Sequence, residues 1–300
     1  MDKTAFVFAG GGSLGAVEAG MLRELVASGL IPDFVVGASA GAINCAYFAC
    51  HPHAEGTSRL EALWRGVRRD DVMPWSWRNL LGMFGGRRGH LVESTALQRL
   101  LALHFGNARI ENAAVPLHVV ATDMHSGEEV VLSSGSLVDA VLASAAIPGV
   151  FPPVRVDGRA LIDGGVANNT PVSTAVRLGA TRVLVLPAGF ACAQRREPRG
   201  AIEHAFNALS LLVARQLVHD LERWSDVARI SVVPPLCPLD VSPYDYSRCG
   251  ELIDRAAEAT AAWLSAGGLD SCKVPGALHP HDHDAEHPSC SADLPASAVS

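Results

Sequence analysis

Apolar positions along the chain alternate between short continuous runs and longer stretches with helical spacing. The runs predict strands at Thr4–Ala9, Asp33–Val36, Leu117–Thr122, Ala160–Asp163, Arg182–Leu186 and Arg229–Val233. Helices are predicted at Ala16–Ser28, Ala40–Ala49, Thr95–Phe105, Leu137–Ala145, Pro171–Leu178, Ala201–Trp224 and Tyr246–Leu264. In the first of these, Val17, Met21, Leu22 and Leu25 recur at the intervals of a single helix face. Strand–helix alternation favours parallel pairing, because parallel neighbours need a crossover and the crossover helices cover the sheet. The expected fold class is therefore α/β, a three-layer α/β/α arrangement around a central, mostly parallel sheet. Two hairpin-like pieces, Glu128–Ser133 and Val154–Ile162, add some antiparallel strands. No internal repeat is visible. After Gly267 the periodicity stops. Residues 1–267 are expected to form one domain, and residues 268–300, rich in His, Pro, Ser, Ala and Asp, a disordered tail.

Composition narrows the function classes. Hydrophobic residues make up 49% of the chain, enough to fill a sizeable core. A net charge of −7 argues against general binding of nucleic acid. The seven cysteines, Cys45, Cys50, Cys192, Cys237, Cys249, Cys272 and Cys290, are odd in number and irregular in spacing. That pattern predicts reduced thiols and a cytoplasmic setting. Met1–Ala19 imitates a signal peptide, but Asp2 weakens its basic start and cleavage would remove a glycine-rich segment. Phe34–Cys50 is uncharged and approaches the length of a membrane span, yet it holds Gly37, Ser39, Gly41 and Asn44. Neither a signal peptide nor a transmembrane helix is expected. His279, His281, His283 and His287 lie in the tail without a rigid frame, so no metal or other cofactor is expected.

Three segments carry candidate chemistry. Gly37-Ala38-Ser39-Ala40-Gly41 reads G-x-S-x-G between an apolar run and a helical one, the setting of a nucleophile elbow. A serine on so tight a turn projects its hydroxyl freely, and the flanking glycines remove side chains that would collide there. Gly10-Gly11-Gly12-Ser13-Leu14-Gly15 links the first strand to the first helix. Its backbone amides, beside a helix N-terminus, suit a developing anion. Leu161-Ile162-Asp163-Gly164-Gly165 places a carboxylate where a strand enters a glycine turn. Asp123 ends another apolar run and reads as a structural acid rather than a catalytic one. Gly10, Gly12 and Gly15 also satisfy G-x-G-x-x-G, with Asp33 about 20 residues on, as in dinucleotide-binding proteins. Asp33 precedes the second strand instead of ending it, which argues against that alternative.

Taken in order, the glycine loop, G-x-S-x-G and D-G-G resemble the patatin-like phospholipase family. Ala143-Ser144-Ala145-Ala146-Ile147-Pro148-Gly149-Val150-Phe151-Pro152-Pro153 is similar to the family's loop before the aspartate, and Gly165-Val166-Ala167-Asn168-Asn169-Thr170-Pro171 to its sequel. Leu178-Gly179-Ala180 resembles the approach to the next strand, so the likeness spans residues 4 to 190. Leu14 stands where many members carry Arg or Lys. The resemblance implies a Ser39–Asp163 dyad without histidine, acting on lipid or other carboxylic esters through an acyl-enzyme. The amides of Gly10, Gly11, Gly12 and Ala40 would hold the oxyanion. A Ser–Asp–His triad is the alternative, with His204, His219 or a tail histidine as third member. A general esterase or thioesterase without membrane preference stays open, as does a lipid-binding module that never acylates Ser39.

Residues 74–88 combine Trp75, Trp77, Phe84, Arg87 and Arg88 with leucines and glycines, and from Arg59 to Arg99 eight arginines face four acids. Aromatic and basic side chains together suit a lipid headgroup region, and the glycines would let the segment move as a lid. A surface loop pinned by Trp75 and Trp77 is the competing reading. If the segment meets a membrane, reversing the charge of Arg87 and Arg88 lowers co-sedimentation with anionic vesicles. Unchanged co-sedimentation would remove the membrane contact.

Overall fold

A computed structural model of the chain describes residues 2–74, 92–189 and 200–270, together with Pro275 and Leu278. The strands are β1 (Thr4–Phe8), β2 (Phe34–Ala38), β3 (Leu117–Asp123), β4 (Glu129–Leu132), β5 (Val154–Val156), β6 (Arg159–Asp163), β7 (Arg182–Leu186) and β8 (Arg229–Val232). The helices are α1 (Gly15–Ala27), α2 (Ala40–Cys50), α3 (Ala54–Gly66), α4 (Arg69–Val72), α5 (Thr95–Phe105), α6 (Leu137–Ser144), α7 (Gly165–Asn168), α8 (Val172–Arg177), α9 (Gly200–Trp224) and α10 (Cys249–Ser265).

Five strands run parallel in the order β3-β2-β1-β7-β8, and β4, β5 and β6 join antiparallel at the β3 side. The mostly parallel sheet flanked by helices is the expected class. Both faces are buried, and the pleat sorts the strand residues between them. Phe6, Phe8 and Val35 face α1, α2 and α10 in one core cluster. Ala5, Val7, Phe34 and Val36 face α8 and the end of α9, through Val172, Leu217 and Leu221, in the other. A smaller cluster of Met73, Val92, Ala146, Val150 and Phe151 lies near the loop that precedes β5.

Several elements differ from the sequence expectation. Asp33 does not belong to β2; its carboxylate accepts the amide of Thr4 at 2.7 Å and ties the starts of two strands together. β2 instead runs on through Gly37 to Ala38. Helix α3 has no counterpart among the predicted elements. Its buried positions Gly56, Thr57, Leu60, Glu61 and Trp64 keep helical spacing, but only Leu60 and Trp64 of the five are large and apolar, so the apolar signal is thin. Tyr246–Arg248 forms a 3-10 turn ahead of α10. Cys45, Cys50 and Cys249 are free, whereas Cys237 is disulfide-bonded to a partner outside the described residues. That bond corrects the reading of all the cysteines as reduced thiols; irregular spacing carried no signal for it. The tail from residue 279 onward, with its histidines, lies outside the described residues, as do residues 75–91.

One register feature positions everything that follows. β4 occupies one edge of β3, pairing Leu132 with Val119 and Glu129 with Thr122. The other edge is shared end to end. β2 pairs there as far as Ala38 beside Val120. β6, running the opposite way, ends at Asp163 beside Ala121. The C-terminal ends of β2 and β6 therefore meet head to head over consecutive residues of β3.

Helix α2 starts hard against β1. A methyl group at Gly41 would lie 2.5 Å from the carbonyl oxygen of Phe8 and 2.6 Å from that of Ala9. Gly41→Ala is expected to destabilise the protein by about 1–3 kcal/mol through this overpacking. Urea unfolding measures it, and an unchanged midpoint would contradict the contact.

Candidate active site

The elbow is the turn from β2 into α2. Ser39 has φ 53° and ψ −123°, a backbone region that side chains rarely occupy. Gly106 takes the same angles at the end of α5, as glycine does without strain. At Ser39 the conformation costs of order 1–3 kcal/mol. The turn is held from several sides. The Ser39 amide donates to Ser144 Oγ at 2.8 Å, and Ser144 Oγ donates to the carbonyl of Val120 at 2.5 Å. Gly37 leaves room for the returning helix, since a methyl group there would lie 2.5 Å from the Gly41 carbonyl oxygen.

Asp163 arrives from the opposite direction on β6. Its amide donates to the Ala146 carbonyl at 2.9 Å, and the Gly164 amide to that of Ser144 at 3.0 Å. Thr122 Oγ1 donates to the Asp163 carbonyl at 2.8 Å. With its backbone so fixed, Asp163 Oδ2 accepts the Ser39 hydroxyl at 2.7 Å and Oδ1 accepts the Gly165 amide at 2.7 Å. Both side chains are buried, Ser39 at 8% exposure and Asp163 at 6%. Burial pushes the carboxyl of Asp163 up from 3.8 to about 6, while the bonds from Ser39 and Gly165 pull it the other way. No histidine among the described residues hydrogen-bonds either group. His204 and His219 lie on α9, and the tail histidines lie outside the described residues.

The glycine loop lies beside Ser39. Its donors are not equivalent. The Gly10 amide donates to the Asn169 carbonyl at 2.9 Å, and Asn169 Nδ2 donates back to the Gly10 carbonyl at 3.0 Å. Gly10 thus frames the loop, with its amide already bonded to Asn169. The amides of Gly11, Gly12 and Ala40 have no such partner among the described residues. Gly12 and Ala40 line a pocket together with Ser39. The pocket walls continue through Ile43, Leu63, Leu97, Leu101 and Phe151, and are almost wholly apolar. Tyr244 closes one side; burial and the nearby Asp163 push its phenol up to about 12, so it stays protonated.

Other candidates fall elsewhere. Asp123 is half-buried and accepts the amides of His125 and Ser126 in the turn between β3 and β4. Trp75, Trp77, Phe84, Arg87 and Arg88 lie outside the described residues. Among the described residues no helix is long and apolar enough to cross a membrane, and no cluster of His, Cys, Asp or Glu is arranged to hold a metal. Sequence reasoning missed the structural roles of Ser144 and Asn169, which it met only as parts of longer motifs.

Fold and elbow together define a three-layer α/β protein of the G-x-S-x-G type, with an aspartate against the elbow serine. Residues 6–176 match the family model described as patatin-like phospholipase, and the chain belongs to that family. Among curated relatives, an uncharacterized NTE family protein of Mycobacterium tuberculosis is 33% identical over 167 residues, 56% of this chain and 27% of the relative. Patatin-like phospholipase domain-containing protein 7 of Mus musculus is 30% identical over 197 residues, 63% of this chain and 14% of the relative. The chain thus spans about a quarter or less of the length of these relatives. Among solved structures, human GIVD cytosolic phospholipase A2 aligns with a TM-score of 0.47 at 12% identity, covering 90% of this chain and 59% of that one. VipD from Legionella pneumophila aligns with a TM-score of 0.45 at 16% identity, covering 87% and 67%.

The raised Asp163 carboxyl has a consequence for stability. The folded protein holds this proton more tightly than the unfolded chain, so the contribution is full below about pH 4 and is lost as pH rises through about 6. Asp163→Asn carries no charge and escapes that loss. Relative to wild type it is expected to gain up to about 3 kcal/mol between pH 4 and pH 7.5. Denaturant unfolding at the two pH values measures the gain, and a stability difference that does not change with pH would contradict it.

Proposed function

We propose that this chain is a lipid acyl hydrolase in which Ser39 attacks a carboxylic ester with Asp163 as its base. The observation that carries the reading is the 2.7 Å hydrogen bond from Ser39 Oγ to Asp163 Oδ2, made between two buried groups at a strained elbow. A serine hydroxyl becomes nucleophilic only when a base takes its proton. A carboxylate near 4 is weak for that task; raised to about 6, it is stronger and still ionised at pH 7. As Ser39 Oγ bonds to the ester carbon, the proton passes to Asp163. The carbonyl oxygen takes up the charge and receives the amides of Gly11, Gly12 and Ala40. Each such donor is worth roughly 3 kcal/mol in the transition state. The tetrahedral intermediate collapses, the C–O bond to the alcohol breaks, and Asp163 returns its proton to the leaving oxygen. Water then attacks the acyl-enzyme with Asp163 again as base, releasing the acid and free Ser39.

Family membership and the apolar pocket support an acyl chain as the group held. An acyl tail leading from the ester carbon would lie along Ile43, Leu97, Leu101 and Phe151. The match to longer relatives named for phospholipase and NTE activities supports lipid esters as the substrate class. The reading covers residues 1–267 as the acyl hydrolase unit.

Hydrolysis of a fatty acyl ester should show kcat/KM rising tenfold per pH unit below about 6 and level above it, reporting ionisation of Asp163 in the free enzyme. Ser39→Ala should lose at least about 10³-fold in kcat. Activity that jumps when the substrate forms micelles marks a lipase; a smooth rise through that point marks a general esterase. Activity retained in Ser39→Ala would overturn the mechanism.

A further inference from the structure

A second buried carboxyl lies close to the site and takes no part in the dyad. Glu18, on the first turn of α1, is 0% exposed and makes no ion pair among the described residues. Its Oε1 accepts the amide of Ala9 at 2.6 Å, and its Oε2 accepts Asn44 Nδ2 at 2.7 Å. Asn44 Nδ2 also donates to the carbonyl of Gly15 at 2.8 Å, and Asn44 Oδ1 accepts the Trp64 indole N–H at 2.7 Å. An indole N–H only donates, so the orientation of the Asn44 amide is fixed and both its Nδ2 hydrogens are used.

Ala9 immediately precedes the glycine loop, and Gly15 ends it. One buried trio, Glu18–Asn44–Trp64, therefore grips the loop at both ends. The Ala9 amide also reaches the Leu186 carbonyl, at 3.2 Å, so the shorter and stronger of its two bonds goes to the side chain rather than to the sheet. Burying a carboxyl without a counter-charge is costly, and an apolar residue of the same size would serve the core better. Leu14 brings no charge to the loop, so its aim rests on hydrogen bonds.

We propose that Glu18 is a positioning residue for the anion-binding amides of Gly11 and Gly12, acting through Ala9 and, by way of Asn44, through Gly15. The proposal rests on the Ser39 acyl-transfer reading. An amide displaced by about 1 Å loses much of its hold on the oxyanion while the ground-state ester is bound as before. The effect therefore falls on kcat rather than KM.

The test is steady-state hydrolysis of p-nitrophenyl butyrate by the full chain, alongside inhibition by a short alkyl trifluoromethyl ketone, whose serine adduct carries an oxyanion. Glu18→Gln keeps the shape but turns an amide nitrogen toward a donor, either the Ala9 amide or Asn44 Nδ2. It should lower kcat about 10- to 100-fold, weaken the ketone by a similar factor and leave KM within about twofold, with an unchanged circular dichroism spectrum. Should Glu18→Gln fail to fold, Asn44→Ala keeps the acid and its bond from Ala9 but removes the bonds to Gly15, Glu18 Oε2 and the Trp64 indole. There a fall in kcat of about 3- to 10-fold with KM retained is expected. Full kcat and ketone affinity in whichever variant folds would overturn the proposal while wild-type activity kept the Ser39 reading intact. A wild type that neither hydrolyses the ester nor binds the ketone would overturn both.

Discussion

The site depends on one constraint, the end-to-end sharing of a single edge of β3 by β2 and β6. Because the two strands run in opposite directions, their C-terminal ends converge on Val120 and Ala121. Ser39 and Asp163, 124 residues apart, are delivered to hydrogen-bond distance by backbone register alone. Parallel sheets place ligand sites at the carboxyl ends of their strands. Here an antiparallel strand brings a carboxyl end to the same place from the other side. Ser144 joins the two halves: its Oγ holds the Ser39 amide and its carbonyl holds the Gly164 amide.

That convergence works against stability at several points. Ser39 is held at a backbone conformation suited to glycine. Asp163 is kept from water, and so favours its proton more than an exposed aspartate would. Glu18 is buried with no ion pair among the described residues, and burial raises its carboxyl well above the usual range. The surrounding core carries these costs through large fully buried side chains on both faces of the sheet, among them Phe6, Phe8 and Phe34. Departures from ideal packing gathered around one pocket mark where function outweighs stability.

Much of this was legible in the sequence, for identifiable reasons. The runs at Thr4–Phe8 and Arg182–Leu186 are apolar after their first residue because parallel strands are buried on both faces, and that pattern announces the sheet. G-x-S-x-G and D-G-G singled out Ser39 and Asp163 because tight turns admit few residue types. What was not legible depends on distant contacts. Nothing local shows that the Gly10 amide is taken by Asn169, 159 residues away. Glu18 reads as one more polar helix residue until Ala9 and Asn44 are seen around it. Helix α3 was missed because Thr57 and Glu61 sit on its buried face in place of apolar residues.

The central claim is that Ser39 is an activated nucleophile with Asp163 as its base. Intact-mass spectrometry after exposure to an alkyl fluorophosphonate tests it most directly, with detergent micelles present and absent. The account predicts one adduct on wild type, none on Ser39→Ala, and labelling of Asp163→Asn slowed by at least about 10³-fold. An adduct that persists in Ser39→Ala, or a wild type that stays unlabelled under both conditions, would contradict it.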